Sequence, residues 1–258
     1  MRVPVVQHRS RRRRALGRRA LWTGGEFLVT AGVVLLLLVV HELWWTNREA
    51  RQGAEHQVRA LERQWATPGA VSGGTPSANT GPAGGSSPRR STSADGSTTV
   101  TGSATTPRRS QAYAILTIPR LHLRVPVAEG VSKQNVLNKG YVGHYPGTQQ
   151  PGQAGNFALA GHRNTHGEPF RYLPRLRLKD IVQVETSAAT YTYTVDKILP
   201  QTSATDSGVI RPIPRSIVKP AYGFSRPGYY VTLTTCTPEF TSRYRMVVWG
   251  TLTSTRPR

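Results

Sequence analysis

Cys236 is the only cysteine in this 258-residue chain, so no intramolecular disulfide can form. A lone thiol in an exported protein is buried and inert, paired with another molecule, or reactive. The run Tyr229–Thr235 ahead of it is apolar and β-branched, and Pro238 follows two residues later. Proline cannot donate a ladder hydrogen bond, so the strand ends close to Cys236 and presents its side chain at a loop-lined cleft. By itself this leaves both a small buried hydrophobe and a nucleophile open.

A nucleophilic thiol needs a nearby base or cation, because the thiolate is the reactive form. His162 is the best placed candidate, since Phe157–Ala160 reads as a strand running out into Gly161-His162-Arg163. His8 lies in a basic tail, His41 at the end of an apolar run, and His122 alternates within a strand-like stretch. His162 and His166 have the spacing of a zinc pair, but that spacing binds metal on a helix, and Gly161, Gly167 and Pro169 oppose one. No metal site is expected. Arg245 opens the apolar strand Met246–Trp249, and the polar turn Glu239–Ser242 lets the two strands form a hairpin that brings it beside the thiol. An arginine there can donate hydrogen bonds to a developing oxyanion. Arg243 has the same side-chain parity and competes for this place.

The elements that must hold these residues are strands. Short β-branched and aromatic runs recur at Tyr113–Pro119, Leu123–Ala128, Asn156–Gly161, Ile181–Thr186, Thr190–Leu199, Tyr229–Cys236 and Tyr244–Leu252. Their length and Pro/Gly punctuation predict strands, with a helical turn only within Glu168–Leu176. Residues 111–258 therefore read as one all-β barrel or sandwich.

The N-terminal part differs. Residues 1–26 form a basic tail, and the first twenty residues carry eight arginines and no acidic residue. Residues 27–45 form an apolar run ending in Trp44-Trp45, long enough for one transmembrane helix with aromatic residues at the headgroup layer. The arginine cluster predicts a single-pass anchor with a cytoplasmic N-terminus. A cleaved signal peptide is the alternative, but no clear Ala-x-Ala follows Trp45. Residues 46–66 read as a juxtamembrane extension of the helix. Residues 67–110 are rich in Ser, Thr, Gly and Pro and predict a disordered stalk that holds the barrel away from the membrane. The net charge of +21 is thus partly a topology signal, and no nucleic-acid module accompanies it.

The segment Thr232–Gly250, TLTTCTPEFTSRYRMVVWG, resembles the nucleophile region of sortases, with an arginine opening the next strand. GHYPGT (Gly143–Thr148) and PGQAGNFALAGHR (Pro151–Arg163) resemble the same family's histidine region. With the basic tail, anchor and linker, the pattern is most similar to class E, and class F is its neighbour. The resemblance implies a closed eight-stranded β-barrel with Cys236 as nucleophile, His162 as acid/base and Arg245 as oxyanion or positioning group. It implies cleavage of a C-terminal Leu-Ala-x-Thr-Gly or Leu-Pro-x-Thr-Gly signal between Thr and Gly through a thioester. The acyl group then passes to an amine of a cell-wall precursor, and the clients are secreted proteins carrying that signal. No cofactor is implied. Tyr145 and Thr235 are substrate-binding candidates. Val209, Ile210, Ile213, Ile217 and Val218 either line the pocket for the signal's leucine or form core beneath a long loop.

Two rivals remain. An L,D-transpeptidase would carry its cysteine in Ser-x-Gly-Cys-x-Arg, whereas Thr234 and Thr235 precede Cys236 here. A non-catalytic envelope-binding β-domain would use the positive charge of residues 111–258, which carry eighteen basic and seven acidic residues, or +11.

Overall fold

The computed structural model describes residues 9–66 and 107–258. The first eight residues of the basic tail and residues 67–106 of the stalk expected over 67–110 lie outside the described residues. One helix, α1 (Arg9–Ala66), runs unbroken from the basic tail through the apolar stretch and into the juxtamembrane segment. Its side chains from Phe27 to Val40 are exposed, and this part is long and apolar enough to cross a membrane.

The rest of the chain closes into a barrel of eight strands: β1 (Ala112–Ile118), β2 (Leu123–Glu129), β3 (Val142–His144), β4 (Gly155–Ala160), β5 (Ile181–Glu185), β6 (Ala189–Ser203), β7 (Tyr229–Thr237) and β8 (Tyr244–Pro257). Around the barrel the order is β1-β2-β3-β4-β7-β8-β6-β5, with β2/β3 and β4/β7 parallel and the remaining pairs antiparallel. All seven strands read from the sequence are present. The eighth, β3, has three residues, too few to show an alternation. Within Glu168–Leu176 the helical content is one 3-10 turn, Leu173–Arg175.

Inward-facing Leu116, Ile118, Val127, Phe157, Leu159, Val184, Tyr193, Val231 and Leu233 fill the barrel, and each is almost wholly buried. Burying a large apolar side chain stabilises by about 1.5–3 kcal/mol, so this cluster is what makes the strand ends rigid platforms. A second cluster outside the barrel joins Leu199, Val247 and Trp249 to Val209. There the Trp249 indole N–H donates to the Val209 carbonyl at 3.1 Å, and the buried Asn156 amide donates to the Arg211 carbonyl at 3.0 Å. These bonds staple the β6–β7 connection to the barrel wall.

The last five turns of α1 also lie on the barrel. Val58 and Leu61 pack on Ile115 of β1, with Trp65 and Ala112 beside them, and Arg124 pairs with Glu62. Near the other end of this contact Gly140 backs onto the helix so closely that a Cβ would come 2.7 Å from the Ala50 carbonyl oxygen. The helix therefore meets the barrel directly from Asn47 onward. β1 and β2 present an apolar and charged stripe that matches one helix face.

Candidate active site

Strand register brings the three candidate groups together. Cys236 on β7 is the register partner of Arg245 on β8. On its other side β7 runs parallel to β4, with Thr234 opposite Ala160. His162 stands two residues beyond Ala160, as Cys236 stands two beyond Thr234, so imidazole and thiol leave neighbouring strand ends at the same level. Two buried bonds fix that level: the Gly161 N–H donates to the Thr234 carbonyl at 3.1 Å, and the Thr235 hydroxyl donates to the Gly161 carbonyl at 2.8 Å.

His162 is held by a group the sequence did not announce. Its Nε2 lies 2.9 Å from Asn138 Oδ1, in the 3-10 turn Leu137–Lys139. Since an amide oxygen only accepts, Nε2 carries the proton and Nδ1 is left as the basic nitrogen. Burial, with help from the nearby His166 and Lys133, pushes the His162 pKa down to about 4. The imidazole is neutral at pH 7 and can accept a proton. The His166 ring stacks on it at 5.5 Å between centroids.

Arg163, next to His162, was also passed over. Its Nη1 donates to the Cys236 carbonyl at 3.3 Å and to Thr237 Oγ1 at 2.9 Å, tying the end of β7 to the histidine loop. The only sequence signal for it was adjacency to His162. Arg245 donates from Nη1 to the carbonyls of Ser242 and Tyr244, at 2.8 and 2.9 Å, so the turn holds its guanidinium at the mouth of the hairpin. Arg243 is exposed and stacks on Tyr244.

The other substrate-binding candidates separate. Tyr145 lies close to β7, its hydroxyl 3.1 Å from Thr234 Oγ1. Because that oxygen already donates to the Leu159 carbonyl, Tyr145 is the donor. Thr235 and Val209 are buried, with Thr235 bonded to Gly161 and Val209 packed under Trp249. Both therefore have structural partners rather than a free face for a ligand, and Ile210 packs against the same cluster as Val209. Ile213 and Ile217, with Arg211, Arg215 and Phe224, line a cavity of about 470 Å³ in the β6–β7 connection. Buried Asp206 organises that connection, accepting from the Thr202 and Ser216 hydroxyls and, at 2.9 Å, from the Ile217 N–H. His144, in GHYPGT, is a structural cross-link: its ring nitrogens meet Glu129 at 2.7 Å and Thr148 at 2.9 Å. Among the described residues no group of three His, Cys, Asp or Glu is placed to hold a metal.

A closed eight-stranded barrel that gathers a cysteine, a histidine and an arginine at adjoining strand ends defines a class, that of cysteine transpeptidase barrels. Residues 116–253 match the sortase domain model. The chain belongs to the sortase family. It is 41% identical over 243 residues to sortase SrtE1 of Streptomyces coelicolor, covering 91% of this chain and 57% of that protein, so it spans little more than half of that relative's length. The crystal structure of sortase E1 from the same organism, with a tripeptide in the active site, superposes with a TM-score of 0.55 at 49% identity, covering 59% of this chain and 94% of that one. For SrtF of Corynebacterium diphtheriae the TM-score is 0.53 at 28% identity, covering 60% and 90%. The higher identity to sortase E places the chain with class E.

Proposed function

We propose that this chain is a membrane-anchored class E transpeptidase acting on the outer side of the cell membrane. It cuts a Leu-Ala-x-Thr-Gly or Leu-Pro-x-Thr-Gly-like signal between Thr and Gly and joins the released carboxyl group to a cell-wall amine. The observation that carries this reading is the register of β4, β7 and β8, in which His162, Cys236 and Arg245 occupy adjoining strand ends. The exposed apolar helix supports the anchor, and the arginine-rich tail supports a cytoplasmic N-terminus.

In this mechanism the neutral His162 takes the thiol proton and the Cys236 sulfur attacks the threonine carbonyl carbon. Negative charge moves to the carbonyl oxygen, where the Arg245 guanidinium stabilises it. The C–N bond then breaks as protonated His162 delivers its proton to the departing glycine nitrogen, leaving a thioester. An incoming amine attacks the thioester, His162 accepts the amine proton, and sulfur leaves as the new amide forms. Asn138 keeps the imidazole in the required tautomer throughout. The cavity beside Ile213 and Ile217 is apolar enough to take the signal's leucine.

The test incubates the protein with quenched Leu-Ala-x-Thr-Gly and Leu-Pro-x-Thr-Gly peptides, with Cys236→Ala in parallel and mass spectrometry for the thioester. Cys236-dependent cleavage after Thr is expected, with the Ala peptide preferred. Folded protein with a titratable thiol that forms no adduct would point instead to an envelope-binding module.

A further inference from the structure

We infer that the catalytic end of the barrel rests against the membrane that holds α1, with the β7–β8 turn at headgroup depth and its basic rim drawn to anionic lipid. This rests on the anchor reading above but is independent of which peptide Cys236 cleaves.

The direction of the docked helix carries the inference. At one end Asn47 donates to Glu168 at 2.9 Å and accepts from the Gly167 N–H at 3.2 Å, while Arg51 donates to the Gly167 carbonyl and pairs with Glu168. These residues belong to the loop that follows His162. At the other end Trp65 lies by Ala112, the first residue of β1, and under the Arg258 guanidinium just past β8. β8 starts beside Cys236 and runs fourteen residues away from it, so Trp65 marks the far end of the barrel. Followed backward, the helix leaves the barrel at the catalytic end. At 1.5 Å per residue, Trp44 and Trp45 lie only about 3–5 Å along the axis from Asn47. Paired tryptophans at the end of an apolar run seek the headgroup layer. The rim of the site is thus about one helical turn from lipid.

What that rim exposes suits a membrane. Glu168 also pairs with Arg171, and Arg171 with Glu239, so one chain of ion pairs runs from the helix to the β7–β8 turn. Next to Glu239, Phe240 is 78% exposed and belongs to none of the hydrophobic clusters of the described residues. Exposed Arg243 follows it, and exposed Lys133 and Lys139 flank Asn138. Arg48, on the helix itself, sits over the Trp44 ring at 5.1 Å. An aromatic tip among cations is the composition of a surface that meets anionic headgroups.

The test uses the full chain with Cys236→Ala, so that one introduced thiol is the only one. Phe240→Cys or Lys139→Cys is labelled with a polarity-sensitive dye, and Ser187→Cys, exposed in the β5–β6 turn, serves as the distant control. The proteins are reconstituted in phosphatidylcholine vesicles with and without phosphatidylglycerol. Nitroxide-bearing lipid should remove most of the emission at 240 and 139 and leave 187 unchanged, more strongly with phosphatidylglycerol present. Equal quenching by aqueous iodide at all three sites, in protein that floats with vesicles, overturns this inference alone. Protein that does not float with vesicles overturns the anchor reading and this inference with it.

Discussion

The Nε2 of His162 and the Oδ1 of Asn138 stand 2.9 Å apart, across the gap between the loop after β4 and the turn before β3. A barrel that offers its thiol an imidazole thereby also fixes which imidazole nitrogen is basic. Removal of the amide in Asn138→Ala should lower kcat on the order of tenfold with KM little changed, a fraction of the 10²–10⁴ that positioned acid–base catalysis supplies. Steady-state kinetics separates this from a folding defect, which would reduce the active fraction measured by thiol titration.

Arg245 should behave as an oxyanion donor. Arg245→Ala is expected to cost about 10²–10³ in kcat, as loss of one such donor does, and Arg245→Lys to restore part of it. Arg243→Ala, with its side chain in solvent, should stay near the parent rate. Equal losses from the two substitutions would reassign the role.

The buried histidine gives stability a pH dependence. Its folded pKa, about 4, lies below the ordinary value of 6.5, so the unfolded chain binds the proton more readily. The contribution of this group to stability is complete above about pH 6.5 and is lost as pH falls toward 4. Urea unfolding midpoints measured between those limits should fall with pH in the parent and fall less in His162→Gln.

The clamp between helix and catalytic loop is open to the same treatment. The Glu168 side chain is only 5% exposed and takes bonds from Asn47 and Arg51. Replacing both with alanine leaves Arg171 as its remaining partner, at a cost of about 1.5–3 kcal/mol for each charge-assisted bond at most. For a chain of this size, even two bonds at about 1.5 kcal/mol each should lower the midpoint of thermal unfolding by roughly 6–12 °C, at about 2–4 °C per kcal/mol. Hydrogen exchange across 161–170 should quicken first.

Asp206→Ala should loosen the β6–β7 connection, since the Thr202 and Ser216 hydroxyls and the Ile217 N–H lose their shared acceptor. The proposed leucine cavity lies in this segment, so peptide KM should rise several-fold with less change in kcat, the signature of lost uniform binding. A fall in kcat at constant KM would place the segment's role in the chemical step instead.

Local signals made much of this molecule legible. Seven strands were readable because alternation and β-branching report burial of one face, residue by residue. The strand-to-loop junctions at Cys236 and His162 were readable because Pro238 and Gly161 punctuate them. β3 was not, since three residues carry no period. Among the substrate-binding candidates, Val209 and Ile213 look alike in sequence, and only the Trp249 indole separates them by burying the first.

The chain of residues by itself determined the strands, the exposed apolar helix, the single thiol and the residue types of a cysteine transpeptidase. Tertiary structure alone decided the tautomer of His162, the bond from Arg163 to the end of β7, and the docking of the helix beside the catalytic loop. The division has one physical cause: secondary structure follows from patterns a few residues long, whereas the groups that tune a site meet across separations such as the 24 residues between Asn138 and His162. The 121 residues between Asn47 and Glu168 are bridged by docking of the helix on the barrel, and no local pattern records that contact.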